Sequence, residues 1–147
     1  MRYRVPAALL SETFDRLRRC GGAQRECQVL WTSEWAHPWT ISEVVHPQHL
    51  AHAGGFELAS DWINGLWLEL ARAGRGIRVQ VHTHPKEAFH SGIDDDFPII
   101  HSVGFLSLVI PDFATGSAGL DRAYLAEITP DGTWREVAPD SRLEIIE

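Results

Sequence analysis

Apolar residues recur at three- and four-residue steps near the start of the chain, with Leu10, Phe14 and Leu17 on one side, and this predicts a helix over residues 6–20. Pro6 suits its first turn, Arg18 and Arg19 suit the negative end of its dipole, and Gly21-Gly22 stop it. A continuous apolar run then predicts a strand over 26–31, a turn over 32–38 and a second strand over 39–45. Pro47, Gly54 and Gly55 bound a loop at 46–55. Ile63, Leu66, Trp67 and Leu70 share one face of a second helix over 60–73, with Ser60 as its N-cap and Gly74 just past its end. Beyond it, Ile77, Val79 and Val81 alternate with Arg78 and Gln80, which is the period of a strand. A short third helix follows from Asp94, with Phe97 and Ile100 turned inward, then a buried strand over 103–110. Strands over 123–128 and 133–137 flank the turn Pro130-Asp131-Gly132, and a last strand covers 143–146. The order of elements predicts an α/β fold, a mixed sheet flanked by helices.

Composition narrows the function classes. With 147 residues the chain reads as one domain with room for a real core. A net charge of -7 argues against nonspecific nucleic-acid binding, which depends on Lys and Arg neutralising phosphates. No apolar run has the length of a membrane span and no secretory leader is evident, so a cytoplasmic location is expected. The two cysteines, Cys20 and Cys27, sit in apolar patterns and read as small hydrophobes in a reducing compartment. Six Trp is a high count; the core is the commoner destination, and a binding surface is the alternative for some of them.

The chemistry concentrates in Val81-His82-Thr83-His84-Pro85 and the following Ser91-Gly92-Ile93-Asp94-Asp95-Asp96. Residues i and i+2 of a strand point the same way, so His82 and His84 project side by side while Thr83 continues the apolar row and Pro85 ends the strand. Two imidazoles and one carboxylate returned by the next loop give three metal ligands and one open position, the pattern of a catalytic zinc. An H-x-H pair also arises by chance in a chain with 8 His, and an acidic run also starts helices. His46, His49 and His52 invite a second metal site, but no Cys or carboxylate stands at a supporting interval in that loop.

His-Thr-His-Pro followed by Ser-Gly-Ile-Asp resembles the JAMM motif of the JAB/MPN metalloprotease family, and the order of helices and strands resembles the family across nearly the whole chain, 1–147. Ala-Phe-His-Ser before the acidic run, with Gly-Phe-Leu-Ser-Leu-Val-Ile-Pro-Asp-Phe after it, resembles bacterial JAB-domain proteins that accompany ubiquitin-like conjugation systems. The resemblance implies a curved, cytidine-deaminase-like sheet and a Zn2+ held by His82, His84 and Asp94. It implies Glu26 as general base and Ser91 as donor to the oxyanion. Residues 85–90 are one fewer than the family places between the second His and the Ser, so Asp95 stands as the alternative third ligand. Glu34, Glu43 and Glu57 are the rivals of Glu26. His90 and His101 bracket the acidic run and could support the metal from behind its ligands.

What the resemblance implies for function is a peptidase or isopeptidase cleaving after the C-terminus of a ubiquitin-like protein, with that protein's tail laid along a sheet edge. Activating and conjugating enzymes of the same system are the implied partners, the 46–55 loop lies on the substrate side, and a homodimer is possible in the family. Processing of a sulfur-carrier protein uses the same chemistry. A non-catalytic MPN-type scaffold is the reading from another class; scaffolds lack one or more ligands, whereas all can be assigned here. Nucleoside deamination shares the fold type but needs a Cys pair as ligands, and Cys20 and Cys27 flank a different element.

Overall fold

The backbone alternation around the His pair is realised as the centre of a six-stranded sheet. The computed structural model describes all residues except 23, 48, 53–54, 59, 90–99 and 101, with side chains described outside 49–52, 55–58 and 60–63 as well. In chain order the elements are β1 (Tyr3–Pro6), α1 (Ala7–Gly21), β2 (Gln28–Glu34), β3 (Glu43–Val45), β4 (His49–His52), β5 (Gly55–Leu58), α2 (Ser60–Ala73), β6 (Arg75–Thr83), β7 (Leu106–Ile110), β8 (Tyr124–Ile128), β9 (Trp134–Val137) and β10 (Leu143–Ile146). The main sheet runs β3-β2-β6-β7-β8-β9, antiparallel except for the parallel pair β6–β7.

One face of this sheet carries α1. Leu9, Leu10, Phe14 and Leu17 pack on Val29, Trp31, Val79, Val81, Leu106 and Leu108, as their helical spacing predicts. The buried Trp31 indole donates to Thr13 Oγ1 at 2.9 Å, which ties helix to sheet with a satisfied polar atom. Gly22 ends α1 in the left-handed region (φ 58°), its N–H donating to the Arg18 carbonyl at 2.8 Å. The other face carries α2, whose Leu66 and Leu70 pack with Leu30, Ile77, Phe105 and Ile128.

Ile77 does not share a face with Val79 and Val81, contrary to the simple alternation. Trp31 pairs with Val79 and Thr32 with Ile77, so Arg78 is the extra residue of a bulge and parity inverts across it. The inversion sends Ile77 to the α2 cluster while Val79 and Val81 stay against α1.

Other boundaries shift for identifiable reasons. β2 starts at Gln28 rather than residue 26, and β3 keeps only the last three residues of the expected 39–45 strand. Residues 46–55 were expected as a loop; instead β4 and β5 pair antiparallel as a hairpin, with His52 opposite Gly55 across residues 53–54. The strand expected over 103–110 starts at Leu106, because Gly104 turns the chain at φ 88° and donates to the Ile128 carbonyl. β1 was not anticipated: it pairs in parallel with β10, burying Val5 and Leu143 beside α1 and joining the two ends of the chain. The short helix expected from Asp94, with Phe97, lies outside the described residues; Ile100 packs half-buried on the α2 cluster.

The cysteines are the clearest correction. Cys20 and Cys27 form a disulfide (Cα–Cα 6.1 Å), where two independent small hydrophobes were expected. α1 turns back into β2 through a short connection, which brings residue 20 against residue 27; helical and strand periods say nothing of that turn.

The Pro130-Asp131-Gly132 turn forms as predicted, with Gly132 at φ 85° and Asp131 accepting from the Thr133 N–H. It sets β9 beside β8, where Arg135 stands opposite Glu127. Arg142 donates to Glu127 at 2.6 and 3.1 Å and Arg135 at 3.1 Å. The Arg142 hydrogen bond, opposed by burial and helped by Arg135, holds the Glu127 carboxyl below its ordinary value. A carboxyl depressed in the folded state stabilises above its unfolded pKa and loses that contribution as pH falls through its folded value. Urea midpoints should therefore fall on acidification in the wild type, and Glu127→Gln should show a shallower fall over that acid range. An unchanged slope in the variant removes this carboxylate from the acid response.

Candidate functional site

β6 carries a row of even-numbered side chains on the face opposite α1. Gln80, His82 and, just past the strand end, His84 follow one another, 3%, 1% and 3% exposed. The same face is apolar near α2, through Leu30, Ile77 and Ile128, and turns polar toward the carboxyl ends of β6 and β7. Gln80 donates to Ser107 Oγ at 3.0 Å across that pair. The carboxyl ends of parallel strands are where open α/β sheets place their ligands.

The His84 N–H donates to the Ile110 carbonyl at 2.9 Å, extending the β6–β7 ladder by one residue beyond Thr83. The His84 carbonyl in turn accepts from the Phe113 N–H at 2.9 Å, and the Lys86 carbonyl from Asp112 at 2.9 Å. Asp112, Phe113 and Ala114 all adopt left-handed backbone (φ 55°, 51° and 61°), which costs roughly 1–2 kcal/mol per residue in a chain of L-amino acids. That strained turn after β7 grips the backbone at both ends of the His84-Pro85-Lys86 corner. Phe89 packs edge-on against the His84 ring, with centroids 4.5 Å apart.

Glu26 arrives from the α1–β2 connection rather than from the strand itself. The Cys27 N–H donates to Thr83 Oγ1 at 3.0 Å, and the Thr83 N–H donates to the Cys27 carbonyl at 3.1 Å. This reciprocal clamp fixes the residue before Cys27 beside the residue after Thr83. Glu26 Oε1 lies 3.9 Å from His84 Nε2, beyond hydrogen-bond reach and within direct electrostatic range, and Glu26 is 8% exposed. Its rivals Glu34 and Glu43 stand 3.9 and 3.6 Å from Arg75 at the opposite end of β6. The Glu57 side chain lies outside the described residues.

Of the residues predicted from sequence, Glu26, His82 and His84 therefore converge. Ser91, Asp94, Asp95, His90 and His101 lie outside the described residues. Two contributors were missed. Thr83 was read only as part of an apolar row, yet its hydroxyl positions the Glu26 segment. Gln28 is paired directly across from His82, on the same face; it is 2% exposed and its Nε2 has no hydrogen-bond acceptor among the described residues. A buried amide at the first position of a strand beside an H-x-H strand is the signal that could have found it.

The donor set fits a divalent ion. Two imidazoles bound to one tetrahedral zinc at about 2.1 Å place their ring centres about 5 Å apart, and those of His82 and His84 are 5.2 Å apart. A carboxylate beside the pair adds negative charge where a cation is bound.

A cavity of about 520 Å³ lies elsewhere, lined in part by Trp35, Trp39, Trp67, Arg75 and Arg78. Its described lining includes neither Glu26, His82 nor His84, and Arg78, its lining residue on β6 nearest His82, is about 13 Å from it at the strand's usual rise, so this cavity is not the His site. Among the described residues no helix is long and apolar enough to cross a membrane.

No family model matches the chain. The chain is 27% identical over 138 residues, 90% of its length and 85% of the relative's, to a protein of Sinorhizobium fredii (strain NBRC 101917 / NGR234) described as probable metalloprotease y4jG. Among solved structures, the solution structure of protein DSY2949 from Desulfitobacterium hafniense superposes with a TM-score of 0.66 at 13% identity, covering 99% of this chain and 93% of that one. The crystal structure of AF2198, a JAB1/MPN domain protein from Archaeoglobus fulgidus, superposes with a TM-score of 0.52 at 14% identity, covering 99% and 98%. The α/β sheet flanked by two helices is thus the fold of a JAB1/MPN domain, as the motif resemblance implied.

Proposed function

We propose that this chain, with the fold of a JAB1/MPN domain and a relative described as probable metalloprotease, is a zinc-dependent peptidase that cleaves after the C-terminus of a ubiquitin-like protein. The observation that carries the reading is a buried carboxylate, Glu26, held 3.9 Å from the second imidazole of a strand-borne pair. His82 and His84 hold the ion, with Asp94 as third ligand and Asp95 as its alternative. Zinc bound there supplies a Lewis acid and lowers the pKa of a water toward about 7.

The chain's own groups do the rest. Glu26 takes the proton of the attacking water and delivers it to the departing amine. Its segment is clamped through Cys27 and Thr83, so the carboxylate meets that water without first having to be ordered. Ser91 donates to the oxygen that gains charge, a role worth about 3–4 kcal/mol. Phe89, edge-on to His84, helps keep bulk water from the imidazole. Among the described residues the β4–β5 hairpin pairs with no further strand, and its edges suit an extended tail that adds a strand.

A linear fusion of a ubiquitin-like protein to a reporter tests the reading. Zinc-loaded chain should release the reporter after the ubiquitin-like C-terminus, and a chelator should stop the release. A scaffold purifies without stoichiometric zinc and cleaves nothing, and that pair of results overturns the proposal. Under oxidising conditions Asp94→Ala should lose metal while Asp95→Ala keeps it; the reverse moves the third ligand by one residue.

A further inference from the structure

We propose that Cys20, Cys27 and His46 form a second metal site, separate from the His82–His84 pair, which takes a thiophilic divalent ion such as zinc once the Cys20–Cys27 disulfide is reduced. Three elements converge there: Cys20 from the last turn of α1, Cys27 from the segment leading into β2, and His46 immediately after β3. Their ligand atoms all lie within 4.8 Å of one another, with His46 Nε2 3.4 Å from Cys27 Sγ.

That last distance is informative. An ion about 2.3 Å from sulfur and about 2.0–2.1 Å from nitrogen in tetrahedral geometry sets the two ligands about 3.6 Å apart. The imidazole therefore already stands at ligand spacing from one sulfur. Once their bond is reduced the sulfurs must part to about 3.8 Å, and Cys20 Sγ, within 4.8 Å of the His46 ligand nitrogen, must settle at the same spacing from the imidazole. Thiolate and imidazole together select zinc-like ions, and two thiolates with a neutral imidazole neutralise the dication. The exposure gradient suits entry of an ion: Cys27 is buried, Cys20 half-buried and His46 exposed. Among the described residues three protein ligands converge, which leaves a fourth position for solvent or a further donor.

The chemistry balances with a named reductant. A cellular dithiol exchanges with the disulfide, its own two sulfurs becoming bonded as Cys20 and Cys27 become thiols. A phosphine does the same while taking an oxygen from one water to become the phosphine oxide. Binding of the ion then releases both thiol protons to solvent. Disulfide and metal are mutually exclusive tethers of the same three segments, one suited to oxidising surroundings and the other to reducing ones. Cys27 adjoins Glu26 in either state.

Cobalt(II) reads this site by itself, because thiolate-to-cobalt charge transfer absorbs strongly in the near ultraviolet and the His82–His84 centre contains no sulfur. The full chain is reduced with a phosphine, freed of it without oxygen, and titrated with cobalt. A charge-transfer band should grow to saturation at one thiolate-bound cobalt per chain and be bleached by zinc, and the oxidised chain should lack it. Cys20→Ser should lose the band. His46→Ala, at an exposed position that leaves the disulfide able to form, should convert a stoichiometric titration into a weak one. Reduced wild type without the band, or His46→Ala titrating like wild type, overturns the proposal. Either result is independent of whether the chain cleaves any peptide.

Discussion

Glu26→Gln keeps its metal and loses about 10²- to 10⁴-fold of its turnover, the span that positioned proton transfer contributes. The substitution preserves shape in a place where shape matters, since Glu26 is 8% exposed and its chain neighbour is clamped to Thr83 by two hydrogen bonds. An amide cannot take up a proton at neutral pH, so the attacking water loses its base while ligands and fold stay as they were. The loss should fall on kcat, with KM nearly unchanged, because the interaction removed is made only in the transition state. Steady-state kinetics on the ubiquitin-like fusion, alongside metal content, checks both halves. Wild-type turnover in the variant takes Glu26 out of the mechanism. Loss of metal makes it a ligand instead.

His82→Ala abolishes metal binding and activity together. His82 is 1% exposed on the central strand, and its ring lies 5.2 Å from that of His84. Removing one of the three proposed ligands leaves an ion too few donors to compete with water. Truncating a buried ring also costs stability, so the decisive reading is differential. An ion that binds only the folded state stabilises by RT ln(1 + [L]/Kd), about 2.7 kcal/mol at a hundred times Kd. Zinc should therefore raise the melting temperature of the oxidised wild type and leave that of oxidised His82→Ala where it was. Keeping the chain oxidised holds Cys20 and Cys27 in their disulfide, so a shift reports on the His pair. A variant that retains stoichiometric zinc places the metal elsewhere.

Much of this architecture is local and can be read locally. Leu10, Phe14 and Leu17 recur at the helical period because one side of α1 must lie against the sheet, and Gly22 marks its end because the chain turns left-handed there. The hairpin at Pro130-Asp131-Gly132 needs a positive φ at Gly132 and finds it. His82 and His84 share a face because they are two residues apart on one extended segment, whatever the rest of the molecule does. The bulge at Arg78 was not legible, since it is defined by the partner strand. The β4–β5 hairpin hid behind Pro47 and a Gly pair, which read equally well as a loop.

Spacing and turn signals by themselves therefore determined α1, α2, the strands β2, β6 and β7, the strand-borne imidazole pair and the α/β class, because each follows from a repeat or a turn a few residues long. Which carboxylate stands beside that pair was decided by tertiary structure. Glu26 and His84 meet only because the Thr83 hydroxyl and backbone hold Cys27, 56 residues earlier in the chain. The meeting of Cys20, Cys27 and His46, and the joining of β1 to β10, were decided in the same way. Contacts between distant segments leave no period in either one, so nothing short of the folded chain records them.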